Sequence, residues 1–199
     1  MLKVGITGNI GSGKSTVCRI FETLNIPVFY ADAEARRLYL DEEVKEKVRV
    51  VFGDDVFSGG EVDTKALAKV VFSDENALAK INGIIHPAVI KRYEEWLIKH
   101  NEAPYTIHEA AVLFESGLQN IFHKIICITA PPDVRLTRVV KRDNSARDDV
   151  LKRMKNQWDE NKKASLSHYV IVNDGKRFLI PQIIKIHDQL LKLTKTVIM

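Results

Sequence analysis

The chain has 199 residues, 45% of them hydrophobic and 28% charged, a composition that excludes an intrinsically disordered or collagen-like protein. No uncharged apolar run approaches the roughly 18 residues of a membrane-spanning helix. The net charge of +4 comes without a basic stripe interleaved with aromatic residues, so we expect neither nucleic acid nor a membrane among the partners.

Strand-like and helix-like segments alternate along the chain. Residues 2–7 predict a short buried strand, and residues 27–30 predict a second one that begins at a proline. Between them, one helix face is formed by Val17, Ile20, Phe21 and Leu24. From about 34 to 96 the pattern is helical only, and its last apolar stripe starts after His86-Pro87.

Strands return in the second half of the chain, at 105–108 and 124–129, and Pro131-Pro132 opens a helix after them. The segment 145–163 predicts one highly charged helix, whose start at Ser145 has the form of a capping box. A last strand at 168–172 precedes an amphipathic helix with the apolar face Ile180, Ile183, Ile184, His187, Leu190 and Leu191.

Five short apolar strands separated by helices predict an α/β fold with a parallel sheet that is covered on both faces. The helical stretch from about 34 to 100 is too long for a simple crossover, so we expect a side module there. The charged segment at 145–163 is a second excursion from the core. The length of 199 residues predicts one domain, or one domain with an inserted module, and we find no internal repeat and no linker.

The clearest motif is GNIGSGKST, Gly8 to Thr16, which contains G-x-x-x-x-G-K-S between a predicted strand and a predicted helix. Glycines let backbone N–H groups turn towards phosphate oxygens, and the dipole of the following helix favours the anion. Lys14 brings a positive charge to the β- and γ-phosphates, and the Ser15 hydroxyl is a ligand for Mg²⁺. The motif therefore predicts a nucleotide-binding site.

A phosphate-binding loop does not specify the reaction, because phosphotransferases, switch GTPases and motor ATPases all use one. A switch GTPase carries D-x-x-G and [NT]-K-x-D, and neither occurs in this chain. The strand ending in Asp-Glu that is usual in a motor ATPase is also missing. A small-molecule kinase is therefore favoured, and a non-catalytic module gated by nucleotide is the alternative from a different class.

Asp32 follows the second predicted strand, at the end where open α/β sheets bind ligands. Its carboxylate is a candidate base for an acceptor hydroxyl, and capping a helix near Glu34 is an alternative of equal weight. Arg36 lies one helical turn further on, where it either binds an anionic acceptor or pairs with Asp32.

Further charged candidates follow the third and fourth predicted strands. Glu109 is a candidate for the surroundings of Mg²⁺, whereas Glu115 also fits the start of a helix. Arg142, Arg147 and Arg153 either offer guanidinium groups to a transferring phosphate or belong to a solvated helix face. Arg142 is favoured among the three because it ends the helix after the fourth strand.

Other titratable residues indicate structure more than chemistry. His86 lies between apolar helical segments and is typical of a packed core histidine. Cys18 and Cys127 form no CxxC pair, and the opening MLKVGITG lacks the apolar region of a signal peptide, so we expect a reducing, cytoplasmic location. No His/Cys cluster has metal-ligand spacing, which leaves Mg²⁺ arriving with the nucleotide as the metal implied.

The ordered set of motifs resembles the dephospho-CoA kinase family over essentially the whole chain. It comprises VGITGNIGSGKSTVCRIFETL, VFYADAEAR, FGDDVFSGGEVDTKALAKVVF, INGIIHP, VLFESG, RVVKRDN, Gln157 and VIVNDG. The resemblance implies a three-layer kinase core with a helical substrate module and a helical lid. It also implies transfer of the γ-phosphoryl group of ATP to the ribose 3′-hydroxyl of dephospho-CoA, with Mg²⁺. Another small-molecule kinase with the same core is the runner-up.

The resemblance implies a role for individual residues, by their positions in this chain. The catalytic residues would be Asp32, Lys14 and Arg142. The acceptor would be bound by Asp32, Arg36, His86 and Glu115. The nucleotide would be bound by Gly8, Asn9, Ile10, Gly11, Ser12, Gly13, Lys14, Ser15, Thr16, Asn173 and Gly175, with Ser15 as the metal ligand.

The implied organisation is a single domain. Its nucleotide-binding core would lie at about 1–31, 104–140 and 164–199, its acceptor-binding helical module at about 32–103, and its lid at about 141–163. We expect small-molecule partners only, in a monomer or weak homo-oligomer. The chain departs from the usual family pattern at Thr64, Ala111 and His168, all outside the phosphate loop and the Asp32 segment.

Overall fold

The computed structural model describes residues 1–196, and the side chains of all of these except 72, 73, 75, 195 and 196. The chain forms two compact units: the first comprises Met1–Tyr30 and the chain from His100 onward, and the second is Ala31–Lys99. The first unit contains the parallel sheet, and the second is mostly helical.

The strands and helices have the following bounds. The strands are β1 (Leu2–Thr7), β2 (Val28–Tyr30), β3 (Phe57–Ser58), β4 (Glu61–Val62), β5 (Tyr105–Glu109), β6 (Lys124–Thr129) and β7 (Tyr169–Val172). The helices are α1 (Lys14–Thr23), α2 (Ala31–Leu38), α3 (Glu42–Phe52), α4 (Thr64–Ser73), α5 (Glu75–Lys99), α6 (Pro132–Asp143), α7 (Arg147–Lys155), α8 (Glu160–Ser165) and α9 (Leu179–Thr196). Short 3₁₀ turns lie at Asp54–Val56 and Leu118–Ile121.

The central sheet is parallel throughout, with the strand order β2-β5-β1-β6-β7, which confirms the predicted fold class. Because the strands run in one direction, their carboxyl ends lie along one edge. Ile6 of β1 lies beside Glu109 of β5 and Ile126 of β6. The chain passes from β2 and β5 on one side of β1 to β6 and β7 on the other, and open sheets bind ligands at such a switch point.

Side-chain alternation along β1 explains how the sheet is covered on both faces. Val4 and Ile6 are fully buried in one cluster with residues of α1 and α9, namely Val17, Cys18, Phe21, Ile183, Ile186 and Leu190. Gly5 faces the other side, where an added Cβ would lie 2.7 Å from Leu113 and 3.1 Å from Phe122. Glycine at this position therefore lets the segment after β5 pack directly on the sheet.

The predicted apolar face of the last helix is correct only in part. Within α9, Ile183 and Leu190 are buried, whereas Ile180 and Ile184 are exposed, and Ile186 takes part in the core instead. None of the helices in the described part of the chain combines the length and the apolarity that crossing a membrane demands.

The second unit is built around α5, which packs against α2, α3 and α4. The predicted start of a stripe after His86-Pro87 is wrong, because α5 continues through the proline. Pro87 has no N–H to donate to the Gly83 carbonyl. Burial on both sides of the proline keeps the helix continuous, and the buried stripe is Ala77, Ile81, Ile85, Val89 and Tyr93.

The prediction of helices alone between 34 and 96 is also wrong at one point, because β3 and β4 form a small antiparallel hairpin. Gly59 and Gly60 make its turn, with φ values of 58° and 85°. A two-residue hairpin turn with positive φ at both positions favours glycine, so the Gly-Gly pair was the signal available in the sequence.

The charged segment after α6 forms two helices rather than the single one predicted. α7 follows Ala146, which has no side-chain capping bond, so the capping box expected at Ser145 is wrong. α8 follows Asp159, whose carboxylate accepts hydrogen bonds from the N–H groups of Asn161 and Lys162 at 2.9 and 3.1 Å. This aspartate cap starts a new helix and so divides the segment.

Candidate active site

A tight loop joins β1 to α1 at the switch point of the sheet. Gly11 and Gly13 have φ values of 80° and 96°, which side chains disfavour. Space is a second constraint: a Cβ on Gly11 would lie 2.5 Å from the carbonyl oxygen of Arg135, and one on Gly13 would lie 2.1 Å from Nδ2 of Asn173. The loop therefore needs glycine at both positions to fit between α6 and the end of β7.

Lys14 begins α1 and reaches back across this loop. Its Nζ donates a hydrogen bond to the Gly8 carbonyl at 3.1 Å and lies 3.6 Å from Oε1 of Glu109. Both side chains are largely buried, and Glu109 is the last residue of β5. The loop thus holds a cation beside a carboxylate at the carboxyl ends of β1 and β5.

Oxygen donors near this lysine suit Mg²⁺, which prefers hydroxyl, carboxylate and phosphate oxygens. Ser15 and Thr16 are exposed in the first turn of α1, next to Lys14. Among the described residues, no group of three or more His, Cys, Asp or Glu side chains could hold a metal ion. The exposed Ser15 hydroxyl beside Lys14 is an oxygen donor that fits an ion carried in by a nucleotide.

Asn173 ties the end of β7 to the loop. Its Nδ2 donates to the Ser12 carbonyl at 2.7 Å, and its own N–H donates to the Thr129 carbonyl at 2.8 Å. Gly175 follows two residues later, with φ of 81° and open space around it. The structure therefore brings Asn173 into direct contact with the loop.

Arg138 of α6 contacts the same place; it is the first residue of the motif RVVKRDN, in which we assigned it no role. Its guanidinium donates to the Gly11 carbonyl at 3.4 Å, and to the carbonyl and Oδ1 of Asn173 at 3.0 and 3.2 Å. The signal available was position, because Arg138 lies one helical turn before Arg142 in the same helix.

Two residues between α7 and α8, Gln157 and Trp158, are hydrogen-bonded to Asn9 and Ile10 of the loop. The Ile10 N–H donates to Oε1 of Gln157 at 2.7 Å, and Nδ2 of Asn9 donates to the Trp158 carbonyl at 3.0 Å. We call residues 157–158 the loop clip. The sequence motifs included Gln157 but gave it no role.

Glu115, predicted to bind the acceptor, supports the loop clip. Its Oε1 accepts a hydrogen bond from the Trp158 N–H at 3.1 Å and lies 2.6 Å from Nζ of Lys163. Lys163 is fully buried and also donates to the Ala111 carbonyl at 2.9 Å. No sequence pattern distinguished Lys163 from the other lysines of the charged segment.

Arg142 lies at the end of α6, where the structure brings it together with Arg153 rather than with the loop. Arg142 donates two hydrogen bonds to Asp143, at 2.7 and 3.1 Å, and Arg153 donates one at 2.8 Å. The two guanidinium groups hold the pKa of the Asp143 carboxyl well below its usual range. Arg147 begins α7 nearby in the chain.

The other predicted acceptor residues belong to the second unit. α2 begins at Ala31, so Asp32 lies in its first turn, and the alternative of a cap for a helix near Glu34 is wrong. A carboxylate in a first turn is favourable to the helix dipole. Asp32 and Arg36 are both exposed, at positions i and i+4 of α2.

His86 lies in the middle of α5, where it is half-buried. Burial lowers the pKa of its imidazole below the ordinary value, which favours the neutral ring at pH 7.

The three residues at which the chain departs from the family pattern, Thr64, Ala111 and His168, each have a defined position in the structure. Thr64 begins α4 directly after its capping residue Asp63. Ala111 contributes the carbonyl that Lys163 contacts. His168 precedes β7, and its Nδ1 accepts a hydrogen bond from the Ile125 N–H at 3.1 Å.

Comparison with known proteins agrees with this geometry. A family model described as dephospho-CoA kinase matches residues 2–178. A dephospho-CoA kinase from Bacteroides fragilis (strain YCH46) is 35% identical over 187 residues, which cover 93% of this chain and 91% of the relative. The crystal structure of TT1252 from Thermus thermophilus matches with a TM-score of 0.84 at 34% identity, over 96% of both chains. A dephospho-CoA kinase from Campylobacter jejuni matches with a TM-score of 0.67 at 25% identity, over 96% of this chain and 97% of that one. The phosphate-binding loop thus lies within a match that spans most of the sequence, and the chain belongs to the dephospho-CoA kinase family.

Proposed function

We propose that this chain transfers the γ-phosphoryl group of ATP to the ribose 3′-hydroxyl of dephospho-CoA, and releases coenzyme A and ADP. The observation that carries the proposal is the family match over residues 2–178, which includes the loop, Lys14 with Glu109, and α2 with Asp32 and Arg36. This reaction would be the last step of coenzyme A synthesis.

In the proposal, the loop from Gly8 to Thr16 binds the phosphates through its backbone N–H groups and the N-terminus of α1. Lys14 exchanges its contacts with Gly8 and Glu109 for the β- and γ-phosphates. Bound Mg²⁺, with Ser15 as its protein ligand, supplies charge neutralisation on the phosphate oxygens. Asn173 and Gly175 border the nucleotide base, and the contact of Asn173 with the Ser12 carbonyl supports this assignment.

The acceptor side of the proposal rests on the second unit. Asp32 orients the 3′-hydroxyl and accepts its proton as the hydroxyl oxygen attacks phosphorus and the bond to ADP breaks. Arg36 binds an anionic group of the acceptor, and His86, with its neutral ring, is a further acceptor-binding residue of the same unit. For Glu115, Oε1 contacts Lys163 and Trp158 and Oε2 is buried, so the proposed acceptor contact requires Oε2 to become exposed.

The proposed organisation assigns nucleotide binding to the first unit and acceptor binding to the second. The lid is proposed for α7 and its flanks, with Arg142 closing on the phosphates. This lid is shorter than the predicted segment 141–163, because Gln157 and Trp158 are bonded to the loop and Lys163 is paired with Glu115. We also propose a cytoplasmic monomer or weak homo-oligomer without nucleic-acid or membrane partners. Two buried thiols without a disulfide, Cys18 and Cys127, support the reducing location.

Release of ADP from MgATP, measured with dephospho-CoA, AMP, adenosine or shikimate as the acceptor, tests the reaction. We expect fast release with dephospho-CoA alone and a product with the mass of coenzyme A. Release with a different acceptor would retain a kinase and reject this substrate. ATP binding without release would favour the nucleotide-gated module.

Asp32→Asn tests the proposed base. We expect kcat to fall by roughly 10²- to 10⁴-fold while the dissociation constant for ATP is unchanged, since the amide cannot accept the proton. Glu34→Gln is the matched control, because it neutralises another carboxylate in the first turn of the same helix. Near-normal kcat in Asp32→Asn would remove Asp32 from the mechanism.

A further inference from the structure

We infer that Gln157 is a positioning residue for the phosphate-binding loop: its side chain fixes the Asn9–Ile10 half of the loop and thereby sets the affinity for nucleotide phosphates. The inference rests on the proposed function only in assuming that phosphates occupy this loop. Gln157 acts through the loop backbone.

The contacts of the loop clip are specific to two adjacent loop residues. Oε1 of Gln157 accepts from the Ile10 N–H at 2.7 Å, at the short end of N–H···O distances. The Trp158 carbonyl accepts from Nδ2 of Asn9 at 3.0 Å, and Asn9 is only 4% exposed. One bond therefore holds the loop backbone and the other holds the neighbouring side chain.

The loop clip is itself held in place from the opposite side. The Trp158 N–H donates to Glu115 at 3.1 Å, and Glu115 is paired at 2.6 Å with the fully buried Lys163. Asp159 follows at once and caps α8. Since a buried ion pair is shielded from competing water, the clip is a fixed support for the loop.

The effect of the loop clip on phosphate affinity follows from how phosphate-binding loops bind anions. Their affinity depends on several backbone N–H groups pointing at one anion, so the loop must be held in one conformation. Without the Gln157 oxygen, the Ile10 peptide is free to turn, and binding must first order it again. α7 ends at Lys155, so Gln157 also marks where the charged segment becomes fixed to the loop.

The test is Gln157→Met, which removes the acceptor at similar length, with Gln119→Met as the matched control. Gln119 is a half-buried glutamine of the same unit, and its Oε1 has no hydrogen-bond partner within the described part of the chain. In Gln157→Met we expect the dissociation constants for MgADP and for inorganic tripolyphosphate to rise about tenfold. The KM for dephospho-CoA and the unfolding midpoint should change little, and the control should match the wild type.

The direct readout is hydrogen exchange of the Ile10 amide in the nucleotide-free protein, which should be slow in the wild type and about tenfold faster in Gln157→Met. Gln157→Glu is the second variant, because it keeps the acceptor oxygen. Its Ile10 amide should stay protected even if the added charge weakens phosphate binding.

Unchanged ADP affinity with unchanged Ile10 exchange would overturn the inference. So would a parallel loss of ADP and dephospho-CoA affinity with a lowered unfolding midpoint, since that pattern belongs to a general structural role. Fast Ile10 exchange in Gln157→Glu would count against it as well. A wild-type protein that binds ADP but does not phosphorylate dephospho-CoA would reject the proposed function, and the readouts on ADP, tripolyphosphate and Ile10 would still decide the role of Gln157.

Discussion

The buried pair of Lys163 and Glu115 is expected to make a large contribution to the stability of the first unit. The Lys163 side chain is fully buried, and its Nζ lies 2.6 Å from Glu115 and 2.9 Å from the Ala111 carbonyl. Lys163→Met keeps the length of the side chain but leaves the Glu115 carboxylate, 16% exposed, without its cation. Removing one partner of a buried pair costs about 3–5 kcal/mol. We therefore expect the free energy of unfolding to fall by about 4 kcal/mol, which lowers the midpoint by roughly 8–16 °C in a chain of this size.

Urea unfolding at pH 7, followed by tryptophan fluorescence, measures this for Lys163→Met, Glu115→Gln and the double variant. The double variant should be more stable than the sum of the two losses predicts, by about 2 kcal/mol, because it leaves no charge unpaired. Lys155→Met is the control for loss of an exposed lysine, with an expected change within about 0.5 kcal/mol. A loss below about 1 kcal/mol in Lys163→Met, or additive effects, would refute the reasoning.

Two further predictions concern the loop and the sheet. Gly13→Ala should weaken MgADP binding in calorimetry by more than tenfold, because its Cβ would meet Asn173 at 2.1 Å. Gly117→Ala, at φ 71° in open space, is the control that carries backbone strain alone. An equal loss of MgADP affinity in both variants would contradict the steric argument. His108 lies between the rings of Phe29 and Phe122, and burial lowers its pKa from 6.5 to about 4. The native state then binds fewer protons than the unfolded one, so stability is complete above pH 6.5 and is lost towards pH 4, by up to about 3 kcal/mol. His108→Gln should reduce the pH slope of the unfolding free energy in urea titrations between pH 6 and 4.5; an unchanged slope would show that this group does not titrate there.

The strands of the sheet could be predicted because each one is a short, nearly continuous apolar run. The predicted ranges 2–7 and 124–129 agree with β1 and β6, and the other three differ by one residue. Such runs are typical of parallel strands buried on both faces, so local pattern and tertiary environment agree. The predictions are wrong where local pattern and the folded structure disagree. At Pro87, burial of α5 on both sides overrides a residue that locally breaks helices. At Asp159, a single helix cap divides a continuous pattern of charges.

The loop could be predicted because its chemistry is contiguous, from Gly8 to Thr16. The residues that support it could not, since Arg138 and Gln157 are brought to it from more than a hundred residues away. Lys163 acts through the segment after β5, where it contacts Glu115 and the Ala111 carbonyl. A lysine in a segment rich in both charges looks like a solvated residue. Only the packing of α8 under the segment after β5 shows that Lys163 is buried.

The carboxylates of the first unit bear on which group takes the proton in the proposed reaction. Glu109 lies beside Lys14, and Glu115 lies beside Lys163. Each of these carboxylates is thus held against a lysine within the first unit. Glu109 would also sit near the phosphates, where proton transfer to it would remove the charge that balances Lys14. Asp32 has a different environment, because its side chain is exposed in the first turn of α2. These contacts support the proposal that Asp32, whose carboxylate is exposed, accepts the proton, while Glu109 and Glu115 balance Lys14 and Lys163.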